Sequence, residues 1–503
     1  MPNDLQTQIR NLIAEFSQKV EESLEGWCER YSAVGSREAE LELAAMGRVL
    51  CDGIFGAIMH KILSDTGFRA LTSIAAKNAG NYRNGGRRNV PVTLLGGSTI
   101  RVEVDYLKPN RRGKRRGRKR QSGRRGKGGT GLYPGLAALG IWNGVTPALA
   151  GEICCQVADS ESVRTGRKAL ARRDIDLGHK QTLRIVNKVG GRAVEQRNGW
   201  LEQTLVEPPG TLLAGKRVVV ATDGGRIRMR VPVTQGRRRK NGHRGFETPW
   251  QEPKLFVIYV IDDTGRIDRT IRPIYDGTME DCEVIFKMLH AYLRALGVSQ
   301  AEQLVIIGDG AKWIWDRAGQ LGQDLEVPDD RVVEVLDWYH AVEHLSDIAS
   351  IPNWSDTEKR KWLYQAKSLL KSGKVDELVC HIMSLAKGRR AKEVRKCIPY
   401  FERNRKRIHY SRFQANSIPI GSGAIESAVR RVVNLRLKGN SKFWLEENAE
   451  SMLLFRCYLK ADRFDDLFDW SLTSAVPWWD DVAWCPLLRN GAAVDRSYRQ
   501  KAA

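Results

Sequence analysis

Two strand-like apolar runs each end on an aspartate, and this limits the folds open to the chain more than any other feature. Arg217-Val218-Val219-Val220-Ala221-Thr222 leads into Asp223, and Leu304-Val305-Ile306-Ile307-Gly308 leads into Asp309. A carboxylate beside a buried strand is costly to desolvate unless something offsets its charge. A third acid, Glu426, follows Gly421-Ser422-Gly423-Ala424-Ile425, where a helical pattern begins. A divalent cation is the simplest common partner for the three. Each also has a plainer reading: Asp223-Gly224 and Asp309-Gly310 as turns, and Glu426 as an ordinary acid in a first helical turn.

The surrounding pattern places these acids on a sheet. Residues 217–230, 255–262 and 267–275 read as three consecutive strands. A helix over 279–296, a strand at 304–307, a strand at 332–336 and a helix over 339–348 follow. That order predicts an α/β fold with a mixed sheet. Side chains two apart share a strand face, so Val219, Ala221 and Asp223 align, as do Ile307 and Asp309. As parallel neighbours, the two strands would bring both carboxylates to one region. Residues 353–413 read as helical and basic, and helices are expected over 424–437 and 446–459.

Lys and Arg number 82 against 59 Asp and Glu, a formal charge of +23, which favours a polyanionic partner such as DNA. The excess is densest in residues 111–127, which hold Arg111, Arg112, Lys114, Arg115 and Arg116 and no acid. Such a run buries no core and reads as a phosphate-tracking arm or a solvated linker. Arg237, Arg238, Arg239 and Lys240 form a second basic cluster between the first two strands. Arg430, with Arg431 beside it, lies one helical turn past Glu426. Upstream, residues 5–63 read as helices, and 90–104 as a hairpin turning at Gly96-Gly97. Between 143 and 190, helices over 148–157, 162–173 and 179–189, the last carrying Lys180 and Arg184, fit a helix-turn-helix or a plain three-helix connector. Residues 466–503 are Trp-rich and carry no functional signal.

Nine scattered cysteines without a C-x-x-C pair argue against a disulfide framework or a zinc ribbon, and for a reducing cytosol. No apolar run approaches membrane length, and Met1 to Arg10 has no signal pattern, so a cytoplasmic protein without membrane contact is expected. Gly210 to Lys216 matches a phosphate loop except that Arg217 replaces its Ser/Thr, and it precedes a strand. His340 and His344 stand one helical turn apart without a third soft ligand, so no zinc is expected. Oxygen ligands suit Mg²⁺, with Mn²⁺ as a substitute.

Four segments together resemble bacterial insertion-sequence transposases of the DDE type, most closely the ISKra-type group related to Mutator-like enzymes. They are Ala221-Thr222-Asp223-Gly224-Gly225, Gly308-Asp309-Gly310-Ala311, Leu336-Asp337-Trp338-Tyr339-His340 and Gly421 to Ser427. The resemblance covers roughly residues 215–459. It implies an RNase H-like catalytic domain in two parts, 215–348 and 419–465, split by a helical insertion at 349–418. Ahead of it would lie a helical region with a hairpin (1–105), the basic arm (106–130) and a helical DNA-binding module (131–205). The resemblance makes Asp223, Asp309 and Glu426 the catalytic and metal-binding triad, and puts Asp337 and His340 beside it as an Asp-x-x-His element. The implied activity is cleavage at terminal inverted repeats and joining of 3′-hydroxyls to target DNA, by a homo-oligomer that pairs two ends. An RNase H-like nuclease without strand transfer and a non-catalytic DNA-binding relative are the alternatives.

Overall fold

The computed structural model describes residues 5–30, 32–80, 82–110, 131–233 and 245–472. The arm at 111–127 and the cluster Arg237, Arg238, Arg239 and Lys240 lie outside the described residues, as does the tail beyond 472. Two compact units emerge, Met1–Arg192 with Phe468–Ala503, and Ala193–Leu467. Among the described residues no helix is long and apolar enough to cross a membrane.

The first unit opens with α1 (Leu5–Cys28), α2 (Ala33–Ser64) and α3 (Thr66–Ala79), the last an addition to the helices expected from sequence. Strands β1 (Tyr82–Thr93) and β2 (Thr99–Pro109) pair antiparallel, so the hairpin at Gly96-Gly97 is longer than its apolar core suggests. Its turn is fixed from outside. Buried Asp52 on α2 accepts from the N–H groups of Gly96 and Ser98, each at 2.9 Å, which compensates its desolvation. Met59, Leu63, Val92, Leu94, Val102 and Val104 form the core beneath.

Helices α4 (Pro134–Ala138), α5 (Pro147–Asp159), α6 (Val163–Ala171) and α7 (His179–Thr204) follow. Pro147 opens α5 where its missing N–H costs nothing. Two features depart from a helix-turn-helix. The α6–α7 link spans residues 172–178, longer than the usual three or four. Helix α7 also runs well past 189, with Lys180 and Arg184 exposed near its start.

The second unit is built on one sheet. β3 (Arg217–Gly224) leads through short strands β4 (Ile227–Arg228), β5 (Val231–Pro232), β6 (Phe246–Glu247) and β7 (Trp250–Gln251) into β8 (Lys254–Ile261) and β9 (Ile274–Thr278). After α8 (Cys282–Leu296) come β10 (Gln303–Gly308), α9 (Lys312–Asp324), β11 (Val332–Leu336) and α10 (Trp338–Ile348). The sheet order is β11-β10-β3-β8-β9; β11, β10 and β3 run parallel, and β8 and β9 continue antiparallel. Val218, Val220, Phe256, Ile258, Leu304 and Ile306 meet Ile285, Leu289 and Ile314 of the covering helices in the main core. The mixed α/β sheet expected from sequence is present.

The expected strand at 267–275 is corrected to β9. Residues 262–270 instead touch β8 only at the Ile261–Ile267 bridge and otherwise turn, because Asp262 accepts from the N–H groups of Thr264 and Arg266 and Asp268 accepts from that of Thr270. Such local bonds compete with a strand ladder. Helices α11 (Asp356–Lys371), α12 (Val375–Met383), α13 (Ala391–Arg403) and α14 (Tyr410–Ala415) fill the stretch read as helical and basic. The helix expected over 424–437 is shorter: α15 (Gly423–Val429) passes into a π-helical turn at Arg430–Asn434. Helices α16 (Glu446–Lys460) and α17 (Phe464–Leu472) complete the described chain.

Candidate functional site

Strand register decides where the acids go. Ile307 on β10 pairs with Ala221 on β3 and with Val335 on β11. Two residues further on, these strands carry Asp309, Asp223 and Asp337. The three aspartates therefore stand level at the carboxyl ends of adjacent parallel strands, which lie about 4.8 Å apart. The main-chain N–H of Asp337 still donates to Gly308 O at 2.8 Å, which carries the β10–β11 ladder to this level.

Glu426 reaches the same edge through a loop tied to the end of β11. Trp338 N–H donates to Ile420 O at 2.9 Å, and the Ser422 N–H donates to Asp337 Oδ2. Glu426, in the first turn of α15, then accepts from the Ser422 hydroxyl at 3.2 Å. Asp337 has a third task as N-cap of α10, where its Oδ1 accepts from His340 N–H at 2.7 Å. The same oxygen lies 3.2 Å from His340 Nδ1.

Asp337, His340 and Glu426 each offer a ligand atom within 4.8 Å of the others. Asp223 and Asp309 stand outside that tight group, near enough to act on it electrostatically. Burial pushes the Asp223 carboxyl up to about 6, with Asp309 and Glu426 adding to the rise, and the Gly224 N–H and His340 opposing it. The hydrogen bond to Asp337 raises His340 to about 9, against its own burial. Burial also pushes Asp337 up, but the His340 ring and the Ser422 groups hold it below the usual carboxylate range. Asp223, Asp309 and Glu426 thus lie within electrostatic reach of one another and of the Asp337–His340 pair.

Two glycines permit this crowding. A side chain at Gly224 would run into the Glu252 carboxylate, and one at Gly310 into the Tyr400 ring. Tyr400 comes from α13, and no run or spacing in the sequence marks it. Its buried hydroxyl has no hydrogen-bond partner among the described residues, and burial, with Asp309 and Asp337 adding to it, pushes the phenol above its ordinary pKa. Trp315 Nε1 donates to Asp309 O at 2.6 Å and fixes that strand end. Ser422 was visible in the sequence only as part of a Gly-Ser-Gly stretch.

Three other candidates of the second unit flank this group. His344 packs against Tyr400, with ring centroids 3.8 Å apart. Arg430 is exposed, one turn beyond Glu426 and at the start of the π turn. Arg431 bonds Ser427 O at 3.3 Å and faces the Tyr275 ring. Lys180 and Arg184 belong to the first unit.

No protein-family model matches this chain, and no curated protein matches it. Among solved structures, the Drosophila P element transposase strand transfer complex aligns with 65% of this chain and 80% of its own, at 11% identity and a TM-score of 0.22. A likeness of that depth carries no argument about fold or activity.

Proposed function

We propose that the chain is a metal-dependent DNA transposase of the DDE type, with Asp223, Asp309 and Glu426 as its catalytic and metal-holding residues. One observation carries the reading: level aspartates on parallel strands, with a glutamate delivered to the same edge by a loop bonded to one of them. An antiparallel β3-β8-β9 meander extended by parallel β10 and β11 also supports an RNase H-like domain, with 349–418 as its insertion.

The donor set fits Mg²⁺ or Mn²⁺. Carboxylate oxygens are the ligands on this reading, and His340, raised by its hydrogen bond to Asp337, would serve beside them as a counter-charge. When bound, such ions supply Lewis acidity at a phosphodiester and charge for the departing oxygen. The chain's own residues do the positioning. Asp337 holds the Glu426 loop through Ser422, Trp315 holds the Asp309 backbone, and the acids crowd to the point of mutual repulsion. Exposed Arg430, with Arg431, is suited to DNA phosphates beside the site. The full reading is a homo-oligomer that binds duplex terminal inverted repeats, cuts at their ends and joins the 3′-hydroxyls to target DNA.

Glu426→Gln should keep binding of element-end DNA and lose Mg²⁺-dependent nicking by at least about a hundredfold. Retained nicking would remove Glu426 from the chemistry. A strand-transfer assay separates the transposase from a nuclease that cuts without joining.

A further inference from the structure

β3 continues past its carboxylate as a narrow ribbon. Its short strand pairs share one register: Ile227 faces Gln251, Arg228 faces Trp250, Val231 faces Glu247 and Pro232 faces Phe246. Alternation sorts the side chains. Ile227 and Met229 are buried, whereas Arg226, Arg228 and Arg230 are exposed in a row. By the same parity Trp250 and Phe246 join the arginine face, while Glu247 falls on the other. Arg228 lies over the Trp250 ring at 4.9 Å, and Arg230 over Phe246 at 4.5 Å.

The rings are held but not covered. Met229 N–H donates to Pro249 O at 2.9 Å, Arg230 N–H to Trp444 O at 2.7 Å, and Trp444 N–H to Arg228 O at 3.0 Å. Phe443 braces Phe246 with ring centroids 5.6 Å apart. Even so, Trp250 keeps 52% of its surface exposed and Phe246 39%. Arginines that merely shielded two stray aromatics would leave less of them open, and would not explain Arg226 extending the row toward Asp223.

We infer that this face binds an unpaired stretch of DNA, its bases stacking on Trp250 and Phe246 and its phosphates meeting Arg226, Arg228 and Arg230. Aromatic faces beside a basic track are the chemistry that grips single strands whatever their sequence. A duplex keeps its base faces stacked internally and would use only the arginines. Arg228 follows Asp223 by five residues, at most about 18 Å of chain. That is about five rises of a stacked strand at roughly 3.4 Å each, so the gripped bases lie a few nucleotides from the carboxylates. The inference rests on the reading of that site as one that acts on DNA.

The test uses the full chain and fluorescence anisotropy, with labelled oligothymidine, oligouridine and a duplex of equal length. Trp250→Ala and Phe246→Ala should each weaken oligothymidine binding roughly tenfold. Trp250→Phe should retain most of it, duplex affinity should change less than about twofold, and melting should match the parent protein. Unchanged oligothymidine binding in both alanine variants overturns the inference, as does equal weakening of single strand and duplex. Tighter binding of oligouridine than of oligothymidine overturns the assignment to DNA. A parent protein that binds duplex while the variants lose nothing leaves the carboxylate reading intact, whereas a parent that binds neither form of DNA removes both.

Discussion

Two groups of acids in the second unit, one at β9 and one at the carboxyl ends of β3, β10 and β11, are treated differently. At β9, buried Asp276 accepts from Arg197 at 3.3 Å, from Gly277 N–H at 2.7 Å and from the Tyr292 hydroxyl at 2.8 Å. Glu450 accepts from Arg197 at 2.6 Å and from Met279 N–H at 2.6 Å. Burial works against the Arg197 charge, but Asp276 and Glu450 more than restore it. Each acid there has donors that belong to the fold. At the strand ends no arginine or lysine bond to Asp223, Asp309 or Glu426 is found among the described residues; burial raises Asp223, as it raises Asp276, and at Asp223 the neighbouring Asp309 and Glu426 add to the rise. A balanced network fastens α7 and α16 to the sheet. On the proposed reading, a dication would relieve the repulsion among Asp223, Asp309 and Glu426 at the strand ends.

Breaking the balanced cluster should have the largest effect. Arg197→Met leaves Asp276 and Glu450 buried without their cation, a loss of about 3–5 kcal/mol. A marked drop in the metal-free melting temperature would show it, and an unchanged melt would erase the contrast. Asp223→Asn should move the other way. A raised native pKa means the folded state holds the proton more tightly than the unfolded one. The resulting stability is fully present below 3.8 and is lost as pH rises through about 6. At pH 7 the ionised group is therefore a burden, and asparagine should raise metal-free stability by about 1–3 kcal/mol. Added Mg²⁺ should stabilise the parent protein and not the variant; equal responses would detach Asp223 from the metal.

Smaller again is the effect of His340. Its pKa is raised to about 9, so the Asp337–His340 pair contributes stability below the ordinary 6.5 that disappears as pH climbs through 9. Thermal melts of metal-free protein should weaken across that window, and His340→Asn should flatten the decline. A decline that survives the substitution would place the titrating group elsewhere.

This contrast was only half legible in the sequence. The strands leading to Asp223 and Asp309 were legible as apolar runs, although their aspartates also read as turns and the first strand stops at Gly224 rather than running to 230. Residues 332–336 were equally plain. The β9 cluster was not, since Arg197, Asp276, Tyr292 and Glu450 come from four separate elements and no local pattern links them. The misplaced strand at 267–275 has the same root: periodicity cannot see that Asp262 and Asp268 satisfy the nearby backbone first. Asp337 joined the site through family resemblance, and its level position came only with the β10–β11 register. Tyr400 lies nearly a hundred residues from Asp309 in sequence, and only packing brings it to Gly310.

The smallest expected effect isolates the difference most cleanly. Ser422→Ala removes one hydrogen bond, the hydroxyl's 3.2 Å contact to the Glu426 carboxylate, and leaves the Ser422 N–H bond to Asp337 in place. Glu426 is exposed, so water replaces the hydroxyl, and the expected change in stability is below about 0.5 kcal/mol. The nicking rate should still fall by severalfold, because the carboxylate loses the contact that orients it toward the level aspartates. In a balanced network, losing a hydrogen bond costs stability; in a poised one, it costs geometry. A Ser422→Ala protein that melts well below the parent would mean that the strand-end acids, like those at β9, are there to hold the fold together.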